Sequence, residues 1–308
     1  MTTARLLCVP NFSEGRNPET IQAIAEAIRS AKVAFHHLSW DSDHHRMVVA
    51  FSGSPYQVRQ AVLRAGAVAV ERIDLRHHQG VHPRLGAVDV VPFVPLSGIT
   101  REEAVAFSHR VARAFARQLK VPVYLYEYSA GAGRIRDLPT LRKGQFEGWV
   151  GRRLEGVRRP DYGPPQLHPS AGATVMGVRD PLIAFNVNLE TCDVAIAQAI
   201  AQRIRQERTH NPDLYGVRAL GLWLPSRHQV QVSLNLTRMA RTLTHEERGT
   251  SLVRVLRYVK EQAEAMGTRV ISTELIGALL AEDAVQALRE ALNAPELLDT
   301  QLVTSGIL

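Results

Sequence analysis

PLIAFNVNLETCDVAIAQAIAQRIRQE, residues 181–207, decides the fold, because it starts for a second time a series that the chain has already run once. PLIAFNVNL reads as a strand and the stretch from Thr191 as a helix. GVRALGLWL (216–224) and QVQVSLNL (229–236) then read as a hairpin pair turned at PSRH. THEERGTSLVRVLRYVKEQAEAMG (244–267) reads as a long helix and RVISTEL (269–275) as a strand. The order is β-α-β-β-α-β. A helix over 282–293 and a docked or frayed tail follow.

Read back to the start, the chain shows the same order. RLLCVPNF (5–12) is a strand leading into a polar loop, and Asn17 caps a helix with Pro18 in its first turn. Ile21, Ile24, Ala25 and Ile28 form one buried stripe. VAFHHL (33–38) and MVVAFSG (47–53) are strands on either side of the turn SWDSDHHR, and Ser54-Pro55 begins a helix reaching about Ile73. AVDVVPFV (87–94) is the next strand, its Pro92 predicting an edge or a strand end. Thr100 and Glu103 form a capping box for a helix to about Leu119, and PVYLYEYSA (122–130) adds a strand. Residues 131–178, rich in Gly, Pro and Arg, read as a connector. The fold class is therefore α/β (α+β), with two ferredoxin-like βαββαβ subdomains over 1–178 and 179–308. Two such sheets are expected to pack around a ligand-binding cleft.

Composition narrows the function. Apolar residues make up 45% and charged residues 22%, an ordinary globular balance. No apolar run approaches the ~20 residues of a membrane span, and the opening MTTARLLCVPNF leads to no expectation of a secretion signal. Cys8 and Cys192 suggest neither a disulfide framework nor a zinc site, so a cytoplasmic setting is expected. The net charge is +7, but the 33 arginines and four lysines are scattered among acidic residues and form no basic tract. A nucleic-acid module on ferredoxin-like sheets would need exposed aromatics in a K/R-G-F/Y run, and none is found. The positive balance favours a small anionic partner instead.

RHHQGVHPRLGAVDVVPF (76–93) is the stretch that carries the most chemistry. Pro83 biases His82 toward extended backbone, and Gly80 and Gly86 flank it. An imidazole held at a strand entrance beside Arg84 suits a general base acting on a charged substrate, although a His- and Arg-rich surface loop has the same local chemistry. Seven histidines fall in two windows, His36, His37, His44 and His45, then His77, His78 and His82. Their spacing matches no common metal motif, so no metal site is expected, although a metal-dependent hydrolase is the competing enzyme class. No nucleophilic-serine elbow and no phosphate loop stand out.

Five stretches together resemble the formiminotransferase (glutamate formimidoyltransferase) family. They are CVPNFSEGRN (8–17), DHHR (43–46), HHQGVHPRLGAVDVVPFVP (77–95), VPVYLYE (121–127) and PLIAFNVNL (181–189). The chain departs from the family pattern at His37, His45 and Val81. The resemblance implies two similar subdomains enclosing a folate-binding cleft, and transfer of a formimidoyl group between N5 of tetrahydrofolate and the amino group of glutamate. It also implies a homodimer acting on folate and glutamate-type small molecules, with tetrahydrofolate as co-substrate and no metal, nucleic acid or membrane. A formyl group, or another amino-acid acceptor, is the neighbouring alternative. Cyclodeaminase activity, fused to this family in mammals, is not expected.

Mapped onto this sequence, the family's catalytic base falls on His82. Its folate-contacting loop falls on Gly163, Pro164, Pro165, Gln166, Leu167, His168, Pro169, Ser170, Ala171 and Gly172. Asp41 and Asp43 are candidates to stabilise the positively charged amidine, although both also suit the turn they stand in. Arg46 and Arg84 are candidates for binding carboxylates, and Asn11 for a hydrogen bond to the pterin or the amidine. Arg84 has an alternative partner in Asp89, and Asn11 has one in its own loop.

Overall fold

Asn17, Ser54 and Thr100 each begin a helix by accepting a backbone N–H three residues on, from Thr20, Gln57 and Glu103. These helices belong to Met1–Asp180, the first of two compact units in a computed structural model that describes residues 3–237 and 250–298. Its strands are β1 (Arg5–Cys8), β2 (Asn11–Phe12), β3 (Ala34–Asp41), β4 (Arg46–Gly53), β5 (Val88–Ser97), β6 (Val123–Leu125) and β7 (Thr174–Val178). Its helices are α1 (Pro18–Arg29), α2 (Pro55–Arg72), α3 (Arg101–Leu119) and the short α4 (Leu138–Arg142). The stripe predicted for α1 is buried, and each fully buried isoleucine contributes roughly 1.5–3 kcal/mol.

β1 and β2 share one position in the sheet, between β4 and β5, and β3 flanks β4; all these pairs are antiparallel. That is the ferredoxin-like order. β7 then adds to the far side of β5, and β6 to β7, both parallel. Two expectations change here. The segment read as a connector contains an interior strand, TVMGV, all five residues buried, too short and too closely framed by glycine to stand out by periodicity. Pro92 lies in the middle of the sheet, in register with Gly177 of β7. On its other side the register falls between Cys8↔Phe93 and Asn11↔Val90, where Val9-Pro10 separates β1 from β2. The missing proline N–H thus meets a break in its neighbour.

Along β4 the side chains alternate. Met47, Val49 and Phe51 enter the core, while Arg46, Val48 and Ala50 take the opposite face. Asn11 pairs with Val48 and shares that face with Arg46.

The second unit, Pro181–Leu308, contains β8 (Leu182–Leu189), α5 (Val194–Glu207), β9 (Val217–Leu224), β10 (Gln229–Thr237), α6 (Leu252–Ala265), β11 (Val270–Ile276) and α7 (Ala281–Ala291). Its antiparallel sheet has the order β11-β8-β10-β9, the ferredoxin-like arrangement. Phe185, Val187, Leu189, Val230 and Val232 form a core with Ile200 and Ile204 of α5 and with Val255 and Val259 of α6. α5 rests so close to β9 that a Cβ on Gly221 would stand 2.3 Å from the Gln198 backbone nitrogen. Positions 244–249 of the predicted long helix, and 299–308 of the tail, lie outside the described residues. Among the described residues no helix is long and apolar enough to cross a membrane.

Candidate active site

The β3–β4 hairpin begins the site. Asp41 and Arg46 face each other across it. Asp41 Oδ1 accepts the backbone N–H groups of Asp43 at 2.9 Å and His44 at 2.8 Å, so this carboxylate builds the turn. It also lies 3.2 Å from His44 Nδ1. The Asp43 side chain is buried, and its carbonyl accepts the N–H of Val81 at 2.9 Å. This contact seats the hairpin turn on the Gly80–Pro83 stretch.

His82 sits beside it. Arg46 Nη1 lies 2.5 Å from His82 Nε2, so the guanidinium donates to that nitrogen and the ring carries its proton on Nδ1, toward the carbonyl of Pro83. The histidine keeps some exposed surface, but its ring is deep among protein atoms. Loss of water, then the charges of Arg46 and Arg142 and the ring of His44, hold it well below the ordinary imidazole range; the Pro83 carbonyl acts the other way. His82 is therefore a neutral imidazole at physiological pH. Arg46 is itself lowered to about 10, by burial and by Arg142, against the carboxylates of Asp89 and Asp41. The His44 ring stands edge-on to His82 with centroids 6.2 Å apart, and its buried Nε2 has no hydrogen-bond partner.

The second histidine window braces the first. His45 and His78 stack at 4.0 Å, and His78 Nε2 donates to the His45 carbonyl at 2.8 Å. Burial is the main reason that His78 drops to about 4, so it too is neutral. Glu14 Oε1 accepts the N–H groups of Gly15, Arg16 and Asn17 and lies 3.3 Å from His45 Nε2. Burial raises this carboxyl, but His45 and the backbone donors outweigh it and bring it to about 2.

Arg84, which the sequence offered as a carboxylate ligand, spends all five N–H donors inside the chain: on His78 Nδ1 and its carbonyl, on Gln145, and twice on Glu147. Its geometry is that of a brace. Asp89, its other suggested partner, is paired instead with Arg142 and accepts the Leu85 N–H at 2.7 Å. Asn11 Nδ2 donates to the Val9 carbonyl at 3.1 Å, which is a local role.

The Gly163–Gly172 loop is tied to the segment just after His82. Ala87 N–H donates to the Ala171 carbonyl and Ala173 N–H to the Leu85 carbonyl, at 2.9 and 3.1 Å. His168 closes the loop with a reciprocal backbone pair to Gly172, and its Nδ1 accepts the Ala171 N–H at 3.0 Å. Burial lowers this imidazole also. Gly172 has φ +67°, and a Cβ there would stand 2.1 Å from the Leu85 carbonyl oxygen. Gly172→Ala is therefore expected to destabilise the first unit by at least ~1–3 kcal/mol, and to raise the dissociation constant of any loop-bound ligand. Urea unfolding and a binding titration on the same sample check both.

The structure thus gathers Asp41, Asp43, Arg46, His82 and Arg84 and adjoins the 163–172 loop to them. Sequence reading missed Arg142, and with it the true partner of Asp89, 53 positions away, and it gave His44 no role once a metal motif was set aside. Among the described residues no group of three His, Cys, Asp or Glu side chains stands at metal-holding spacing.

Residues 5–179 match the family described as formiminotransferase domain, N-terminal subdomain, and residues 184–293 match the formiminotransferase domain. A glutamate formimidoyltransferase of Streptococcus pyogenes serotype M1 is 39% identical over 271 residues, covering 88% of this chain and 87% of that one. One from Thermoplasma acidophilum is 34% identical, covering 90% and 88%. The formimidoyltransferase-cyclodeaminase of Gallus gallus is 37% identical over 88% of this chain, which spans 49% of that protein.

Proposed function

The chain belongs to the formiminotransferase family, and from that premise we propose that it moves a formimidoyl group between N-formimidoyl-glutamate and N5 of tetrahydrofolate. The observation that carries the reading is His82 Nε2, an unprotonated nitrogen held beside the 163–172 loop. The attacking amine adds to the amidine carbon, a new C–N bond forms, and a tetrahedral adduct results. His82 takes the proton from the attacking nitrogen and returns it to the leaving one, whose C–N bond then breaks. The 163–172 loop holds the folate. Asp43, and Asp41 through its hairpin position, offset the positive charge of the amidine, and Asn11 lies on the same sheet face as Arg46.

Arg46 has two duties in this scheme. Its guanidinium occupies the lone pair that His82 must use, so it has to leave before the base can act. A substrate carboxylate is the acceptor that draws it away, because Arg forms bidentate pairs with carboxylates. Arg84 and Glu147 keep the supporting loop in place meanwhile.

The direct test is turnover of N-formimidoyl-glutamate with tetrahydrofolate, followed by formation of 5-formimidoyltetrahydrofolate, with 5-formyltetrahydrofolate plus glutamate as the competing assay. Activity in the formyl assay alone would sink the formimidoyl reading. In the productive assay kcat/KM is expected to stay flat down to below pH 6, since His82 resists protonation there. Arg46→Gln removes a positive neighbour, so the acid limb should move up in pH and KM for the glutamate substrate should rise. By the same family reading the chain acts as a cytoplasmic homodimer.

A further inference from the structure

His44 stands inside the first unit's site, and the transfer scheme gives it no task. Only 3% of it is exposed, and its place is fixed from two sides. Asp41 Oδ1 accepts its backbone N–H at 2.8 Å and lies 3.2 Å from its Nδ1. Gly80 presses so close to its backbone that a Cβ there would stand 2.5 Å from the His44 carbonyl oxygen. An ionised carboxylate only accepts, so the ring proton belongs on Nδ1 and Nε2 carries a lone pair. That nitrogen is buried without a hydrogen-bond partner. A buried acceptor left unpaired is costly and calls for a donor.

The surroundings narrow the choice of donor. The His44 ring stands edge-on to His82, with centroids 6.2 Å apart and planes at 73°. A substrate whose reacting nitrogen meets His82 therefore brings the next atoms of the same group within reach of His44. The Asp41 carboxylate behind the ring makes Nε2 a strong acceptor, suited to an N–H that bears positive charge. Neither feature suits an anion or a carbonyl oxygen.

Resting on the transfer reading above, we propose that His44 Nε2 accepts an N–H of the terminal amidine nitrogen, and so selects a formimidoyl group over a formyl group. That nitrogen keeps its two hydrogens throughout. The C–N bond to the attacking nitrogen forms, the C–N bond to the leaving one breaks, and the proton between them passes through His82. His44 neither gains nor loses a proton. A formyl group puts an oxygen at the same place, whose lone pairs would face the lone pair of Nε2 and leave it unpaired. Arg46, which faces Asp41 across the hairpin and covers His82 Nε2, clears this ground when it leaves for the substrate carboxylate.

The test is calorimetry with N-formimidoyl-glutamate and N-formyl-glutamate, which differ at that terminal atom, run beside the two turnover assays. His44→Leu and His44→Phe, neither with an acceptor, are expected to weaken N-formimidoyl-glutamate by about 10- to 100-fold and leave N-formyl-glutamate unchanged. His44→Gln, whose Oε1 can stand near the lost Nε2, is expected to keep most of the preference. Equal weakening of both ligands, or an unmoved preference in the Leu and Phe variants, would overturn the assignment, since a merely structural histidine acts on the two alike. A wild-type chain that prefers N-formimidoyl-glutamate but transfers nothing to tetrahydrofolate overturns the transfer reaction and leaves the His44 contact standing. A wild-type chain that transfers the group but binds the two ligands alike overturns the contact alone. Binding of neither ligand, with or without tetrahydrofolate, overturns both.

Discussion

His82→Ala is expected to lower turnover by about 10²–10⁴-fold while the dissociation constant of tetrahydrofolate changes little. The magnitude is that of a positioned acid–base, and the selectivity follows from where His82 stands. The ligand-holding loop is tied through Leu85 and Ala87, which the substitution does not touch. Alanine also relieves the crowding of Arg46, Arg142 and His44 around the ring, so the protein should not unfold. Added imidazole should restore part of the rate, with an optimum set by its own pKa. Single-turnover kinetics separate binding from chemistry, and an unchanged chemical step would refute the base assignment.

Arg142→Met is expected to be the most damaging change to stability in the same neighbourhood. Asp89 is only 2% exposed, and its carboxylate accepts from the Arg142 guanidinium and the Leu85 N–H. Removing one partner of a buried pair costs roughly 3–5 kcal/mol, because the charge left behind has lost its water as well. For a unit of this size the loss corresponds to a melting temperature lower by roughly 6–20 °C. Replacing both partners, Asp89→Leu with Arg142→Met, should recover much of it, which differential scanning calorimetry on the three variants would show. If the single and double variants melt alike, the pair is not what holds this loop. The loss of positive charge should also raise the pKa of His82 and carry the acid limb of the rate profile upward.

Much of the fold was legible because local signals agreed with one another. Asn17, Ser54 and Thr100 announced three helices, and the stripe on α1 named its buried face. β7 was not legible: five buried residues inside a Gly- and Pro-rich segment give no periodicity, and only pairing with β5 and β6 makes them a strand. Pro92 misled because its tolerance depends on a break in a neighbour more than 80 positions earlier. For the site, GVHPR pointed to His82, but the partners that set its behaviour come from β4 and α4. Arg84 shows the limit from the other side. Its residue type fitted a substrate carboxylate, yet Glu147 and Gln145, 63 and 61 positions away, had already taken its donors. In the second unit Asn188 and Gln231 meet only once β8 and β10 are set in register.

The two parallel strands added to the first sheet restrict how the chain can be shortened. All six elements of the repeated motif are in place by Ser97, and a designer might cut soon after it. Such a fragment would bare the flank of β5 that β7 covers, Val90 to Phe93, and offer its open backbone groups to whatever strand came near. It would also lack the 163–172 loop itself, leaving Leu85 and Ala87 without the backbone partners that loop supplies. The smallest well-behaved half is therefore set by a late five-residue strand, and fragments ending earlier should self-associate along that flank.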